Sequence, residues 1–146
     1  MPLNDPATIA RLFATVKTIA VVGLSSDEER SSHGVAAYLQ RQGYRIIPVN
    51  PYEREVLGEK AYRDLKSVPE RIDLVNIFRR PSEVLPHVEE AIAIGAPAVW
   101  MQLGVVNPRA VEKALAAGLD VVQDRCIAVE HHRWRAQRVM AGQVTP

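Results

Sequence analysis

Three stretches of this chain concentrate groups that can hold a phosphate. The first, Gly23-Leu24-Ser25-Ser26-Asp27-Glu28-Glu29-Arg30-Ser31-Ser32-His33-Gly34, sets a glycine turn, several hydroxyls and an arginine ahead of a helical pattern. Those are the parts a pyrophosphate needs: close backbone approach, unpaired N–H groups, the positive end of a helix dipole and a guanidinium fork. The same residues also read as a solvated loop, with Ser31 or Ser32 capping the helix and Arg30 neutralised among Asp27, Glu28 and Glu29. The second stretch, Phe78-Arg79-Arg80-Pro81-Ser82, puts two guanidiniums beside another helix start. Its plainer reading pairs one arginine with Glu83 and leaves the other in solvent. The third, Trp100-Met101-Gln102-Leu103-Gly104-Val105, offers an amide and a glycine turn, with Trp100 reading as core.

Groups for catalysis are sparse. Cys126 has His131 and His132 five and six positions on, spacings that do not share a helix face, so it reads as a buried, unreactive thiol. His33 reads as a partly exposed side chain within reach of the first loop, and His87 sits in a helical segment without a partner. No triad and no metal pattern appears, and the single cysteine permits no internal disulfide. Two nucleotide motifs are also missing. The glycine after Gly23 is Gly34, so there is no GxGxxG, and GxxxxGK[ST] occurs nowhere. The segment Val49-Asn50-Pro51 carries an amide where a dehydrogenase places an acid for the ribose hydroxyls, and Glu53 comes too late to replace it.

These loops need a scaffold, and the apolar pattern supplies one. Runs at Thr18–Gly23, Arg45–Val49, Asp73–Phe78, Ala98–Leu103 and Asp120–Gln123 recur about every 25 residues and read as buried parallel strands. Helical period fills the intervals. Val35, Tyr38 and Leu39 precede Gly43; Leu85, Val88 and Ile92 lie within Ser82–Gly95; Asn107-Pro108 opens a helix with Val111, Ala114 and Leu115 that stops at Gly118. Asp5-Pro6 opens an N-terminal helix, Ile127–Met140 reads as a helix beyond the last strand, and the crossover Pro51–Ile72 is irregular apart from a short helix near Asp64–Ser67. The expectation is an α/β, three-layer, doubly wound Rossmann-like domain with about five parallel strands, whose ligand lies off the strands' carboxyl ends. One domain spans 1–146, with 141–146 as a loose tail.

Composition agrees. Hydrophobic residues make up 47% and charged residues 24%, as in a globular core-forming chain, and a net charge of +1 gives no general field for nucleic acid or an anionic membrane. Any anion must therefore be held locally. The start, Met1-Pro2-Leu3-Asn4-Asp5, has no basic-then-apolar character, and Gly95 and Pro97 interrupt the longest apolar stretch, so a cytoplasmic setting is expected.

Taken in order, Val22-Gly23-Leu24-Ser25, Arg30, Ser32, Tyr44, Pro48-Val49-Asn50-Pro51, Phe78-Arg79, Trp100-Met101-Gln102-Leu103-Gly104 and Asp124-Arg125-Cys126-Ile127 form a recognisable set. Over about residues 9 to 130 it resembles the small stand-alone CoA-binding proteins, similar in fold to the N-terminal CoA-binding domain of the succinyl-CoA synthetase alpha subunit. The resemblance implies that Gly23, Ser25, Arg30 and Ser32 hold the CoA pyrophosphate and that Asn50 and Pro51 border the nucleotide. It places Phe78 and Arg79 against the adenosine and pantetheine and adds the turn of Gln102 and Gly104; Arg80 joins them on its basicity alone. The synthetase's phosphorylated histidine belongs to a second domain, for which this chain has no room. The expected function is binding of coenzyme A or an acyl-CoA as a carrier, sensor or partner subunit without catalysis of its own. The alternative is an NAD(P)-dependent oxidoreductase using the same cleft.

Overall fold

Continuous apolar runs and period-3.6 stripes alternate along the chain, and the computed structural model, which describes residues 3–145, turns them into strands and helices in that order. Helix α1 (Pro6–Thr15) precedes β1 (Thr18–Val22), α2 (Ser31–Arg41) and β2 (Arg45–Val49). A small hairpin follows, β3 (Glu55–Val56) with β4 (Glu59–Lys60), then β5 (Leu74–Ile77), α3 (Val84–Ala93), β6 (Ala98–Met101), α4 (Pro108–Ala116), β7 (Asp120–Val122) and α5 (Ile127–Met140). The main sheet has five parallel strands in the order β2-β1-β5-β6-β7. This is the expected Rossmann-like α/β architecture. Each expected strand is present, ending one or two residues earlier than its apolar run at four of the five.

Alternation along the strands divides the core in two. Ala20, Val22, Val75, Ile77, Val99 and Met101 face one way and pack with Val84, Val88 and Ala91 of α3 and Ala110, Val111 and Ala114 of α4. Ile19, Val21, Leu74, Ala98 and Trp100 face the other way, against Leu12 and Phe13 of α1, Ala36 and Leu39 of α2 and Ile127 of α5. Burial on both faces is why these strands read as continuous apolar runs. Helix starts follow their caps: the Asp5 carboxylate accepts from Thr8 N and the Asn107 side chain from Ala110 N, each ahead of a proline in the first turn.

Both edges of the sheet are protected. Asn4 N donates to Val121 O and its side chain pairs with the Gln123 backbone, covering β7. On β2, Tyr62 forms a parallel bridge to Val49, and Pro48 sits in that edge strand, where a missing donor is tolerated.

The β3–β4 hairpin is the element that the sequence does not announce. Its turn, Leu57-Gly58, has positive φ at both residues (56° and 76°), a mirror-image turn usually signalled by Asn-Gly. Leucine in the first place hides it. The strained Leu57 carbonyl is held by Gln40 Nε2 at 3.0 Å, and Val56 is buried beneath. The expected short helix near Asp64–Ser67 is present as a 3-10 helix, Leu65–Ser67, capped by Asp64. Beyond α5, Gln143 N donates to Arg138 O; Pro146 lies outside the described residues. Among the described residues, no helix is long and apolar enough to cross a membrane.

Candidate functional site

From β1 the chain runs outward to β2, then returns past β1 to build β5, β6 and β7 on the other side. The connections therefore diverge between β1 and β5, and a cleft opens off the carboxyl ends of the strands there. It has a volume of about 820 Å³ and is lined from the β1, β2, β5, β6 and β7 ends.

Gly23 sits at this divergence and explains its closeness. Its N–H donates to Val49 O at 2.8 Å, Phe78 N donates to Val22 O at 2.8 Å, and its φ is +87°. A Cβ at Gly23 would stand 2.3 Å from Phe78 O and 3.2 Å from Arg79 Cδ. Only glycine allows the β1 and β5 ends to meet here.

The loop after β1 is folded by its own side chains. Ser32 Oγ accepts from Ser25 N (3.2 Å), Ser25 Oγ accepts from Asp27 N (3.0 Å), and His33 Nδ1 lies 3.0 Å from Ser25 O. Asn50 Nδ2 donates to Leu24 O, tying this loop to the end of β2. Neither Ser31 nor Ser32 caps α2, contrary to the plainer reading of the loop. Both lie inside the first turn, the N-cap residue is Arg30, and no side chain caps the end. The first-turn N–H groups of an 11-residue helix are thus left without a side-chain acceptor, beside a cleft lined by Arg30, Ser31 and Ser32. Glu53, too late in the chain to stand in for the ribose acid, instead accepts from Ser26 N at 2.6 Å and anchors the loop.

From the β5 end come Phe78, Arg79 and Arg80. Arg79 Nη2 pairs with Glu83 at 3.1 Å, as the plainer reading expected, while Arg80 is exposed; both arginines and Glu83 line the cleft. The Arg79 charge also acts behind the wall: burial first, and then Arg79, hold the His87 pKa below its ordinary value. From the β6 end, the buried Gln102 donates through Nε2 to Asn76 Oδ1 (2.7 Å) and accepts weakly from Ile127 N (3.4 Å), joining β5, β6 and α5 under the cleft floor. Leu103, 71% exposed, and Val105 make an apolar stretch at this end.

Nine of the eleven residues singled out from the sequence line the cleft together: Gly23, Ser25, Arg30, Ser32, Asn50, Phe78, Arg79, Arg80 and Gln102. Pro51 and Gly104 do not. Pro51 is exposed in the turn beyond Asn50, and Gly104, with φ +84°, closes the β6 turn by donating to Asp124 Oδ1 at 2.8 Å. Cys126 requires a correction. It is partly exposed at the N-cap of α5 and lines the cleft, because β7 ends beside β6 and delivers it there. Local helical spacing to His131 carried no information about that neighbour. His131 is instead buried against Tyr38, whose hydroxyl lies 2.8 Å from Nδ1, amid Phe13, Tyr44 and Trp134.

Three guanidiniums against one carboxylate make the lining cationic although the whole chain carries only +1. Hydroxyls and helix N–H groups lie at the α2 end, with apolar side chains and a thiol at the β6–β7 end. Such a cleft suits an elongated ligand with anionic and less polar parts.

Known proteins are similar to this chain in sequence and fold. The chain is 47% identical over 126 residues to the uncharacterized protein YneT of Bacillus subtilis, covering 86% of this chain and 93% of that one. A solved structure of a hypothetical protein from Pyrococcus horikoshii superposes with a TM-score of 0.86 at 40% identity, over 88% of this chain and 91% of that one. Acetate–CoA ligase [ADP-forming] I of Archaeoglobus fulgidus is 28% identical over 132 residues, which are 82% of this chain but 19% of the ligase. Residues 17–132, from the start of β1 into α5, match the family model described as CoA binding domain, and the chain belongs to that family.

Proposed function

We propose that the protein binds coenzyme A or an acyl-CoA across the carboxyl ends of its strands, with residues 1–146 acting as one domain. It serves as a carrier, sensor or partner subunit and has no catalysis of its own. The observation that carries this reading is the coincidence, in a chain of this family, of the uncapped α2 terminus, Arg30, Arg79 and Arg80 around one cleft. In this reading the CoA pyrophosphate takes the first-turn N–H groups and hydroxyls of Ser31 and Ser32, with Arg30 closing over it. The nucleotide lies by Asn50 and Phe78, Arg79 and Arg80 face its phosphate charge, and the pantetheine arm runs along Leu103 and Val105 toward Cys126. A partner-subunit role draws support from the ligase above, in which the related segment is about one fifth of a longer enzyme. A cytoplasmic setting, where CoA is available, completes the proposal.

Mass spectrometry of protein purified without added ligand identifies any CoA species retained. Thermal unfolding then ranks candidates, since a ligand bound only by the native state stabilises by about 2.7 kcal/mol at a hundredfold excess over Kd. CoA is expected to raise the transition more than NAD or NADP, and more than dephospho-CoA if Arg79 and Arg80 meet the 3′-phosphate. A larger rise with NAD or NADP at matched concentration would overturn the proposal in favour of an oxidoreductase.

A further inference from the structure

One cleft-lining side chain has the wrong sign for an anionic ligand. Glu83 lines the same cleft as the three arginines and forms an ion pair with Arg79, Nη2 to carboxylate oxygen at 3.1 Å. The local chain delivers it there: a 3-10 turn, Pro81–Glu83, with Glu83 N donating to Arg80 O at 2.8 Å, brings residues 79 and 83 face to face. Arg79 is confined in turn. Its side chain is 35% exposed, its Cδ packs beside Gly23, and its Nε is buried with no hydrogen-bond partner.

A guanidinium binds a phosphate most strongly with two neighbouring N–H groups directed at two oxygens. On Arg79 one of those groups, Nη2, is ion-paired with Glu83, and the neighbouring Nε is enclosed without an acceptor. Among the described residues, Glu83 is the one carboxylate paired with Arg79. A phosphate that is to use this edge must displace it. From this geometry we infer that Glu83 is a built-in competitor: it latches Arg79 in the free protein and yields Nη2 to a phosphate oxygen of the ligand, lowering affinity and setting selectivity at the cleft. Naming that oxygen as CoA's rests on the proposed function; the latch itself rests on the Arg79–Glu83 geometry.

Calorimetry with CoA on wild type, Glu83→Gln, Arg79→Met and the double variant tests it. Methionine keeps the stem beside Gly23 and removes the fork. Glu83→Gln is expected to tighten CoA about three- to fivefold, the scale of a partly exposed ion pair, and this gain should vanish in the Arg79→Met background. Weaker or unchanged binding in Glu83→Gln overturns the inference, as does an equal gain with methionine at 79, which would indicate plain repulsion. If wild type fails to bind CoA, the CoA reading falls, and the same four proteins are titrated with inorganic pyrophosphate under the same criteria; no binding of either probe overturns the latch as well. Should Arg79→Met not fold, the Arg79 Nε–H NMR signal decides. Ligand addition to wild type and Glu83→Gln without ligand should both shift it, and a signal that stays fixed under both sinks the idea.

Discussion

Replacing Gly23 with alanine tests the closeness of strand ends on which the cleft is built. Two penalties combine at this position. A side chain at φ +87° costs about 1–2 kcal/mol through its clash with the local backbone. The new Cβ would also lie 2.3 Å from Phe78 O, so the β1 and β5 ends must part by at least about 0.7 Å to reach the shortest contact such an atom tolerates. Overpacking against backbone adds about 1–3 kcal/mol. Together they predict a loss of about 2–5 kcal/mol, or roughly 5–15 °C in Tm for a chain of this size. Two other glycines calibrate the result. Gly58 has φ +76° but nothing within 4 Å of its Cβ position, so Gly58→Ala should show only the conformational part, about 1–2 kcal/mol. Gly34 is inside α2 with open space around it, and Gly34→Ala should stabilise by about 0.5–1 kcal/mol. Urea unfolding of the three variants gives the comparison. If Gly23→Ala falls within about 0.5 kcal/mol of Gly58→Ala, the close approach to Phe78 is not a constraint and the reasoning fails.

Arg30 is 74% exposed and its only ion pair among the described residues, with Asp27, is at 4.0 Å, so Arg30→Ala should leave stability unchanged while weakening CoA by about 1.5 kcal/mol in calorimetry. Equal affinity would remove it from the site. Cys126 should react with a thiol reagent at a measurable rate that CoA suppresses, whereas Cys126→Ser should bind CoA nearly as well as wild type; labelling indifferent to CoA would place the ligand away from the β7 end. Burial first, then Arg135 and His132, push the His131 pKa down to about 4 from 6.5, so the folded state binds fewer protons than the unfolded one between those values. Stability should thus fall as pH drops through that window, by up to about 1.4 kcal/mol per pH unit from this group, and His131→Phe should flatten the slope; parallel slopes in the two proteins would exclude His131 as the cause.

Strands, helices and their order were legible because each depends on residues close in sequence. Ile19–Val22 is continuously apolar since both its faces are buried, and Asn107-Pro108 starts α4 since cap and proline act within one turn. Most of the cleft was legible for a related reason: in a parallel sheet every strand's carboxyl end lies on one side, so the loop after each strand is a candidate before the strand order is known. What chain proximity could not reveal were meetings between distant segments. Cys126 reaches the cleft only because β7 lies beside β6, and Glu53 reaches Ser26 only because β2 lies beside β1. The uncapped α2 start also depended on tertiary structure. Ser32 had two possible uses for its hydroxyl, and the folded loop gave it to Ser25 N, leaving the helix end available to a ligand. Local chemistry thus determined the elements, while strand order and the pairing of scarce polar groups determined which side chains share a wall, since those pairings compare partners that only folding brings within reach.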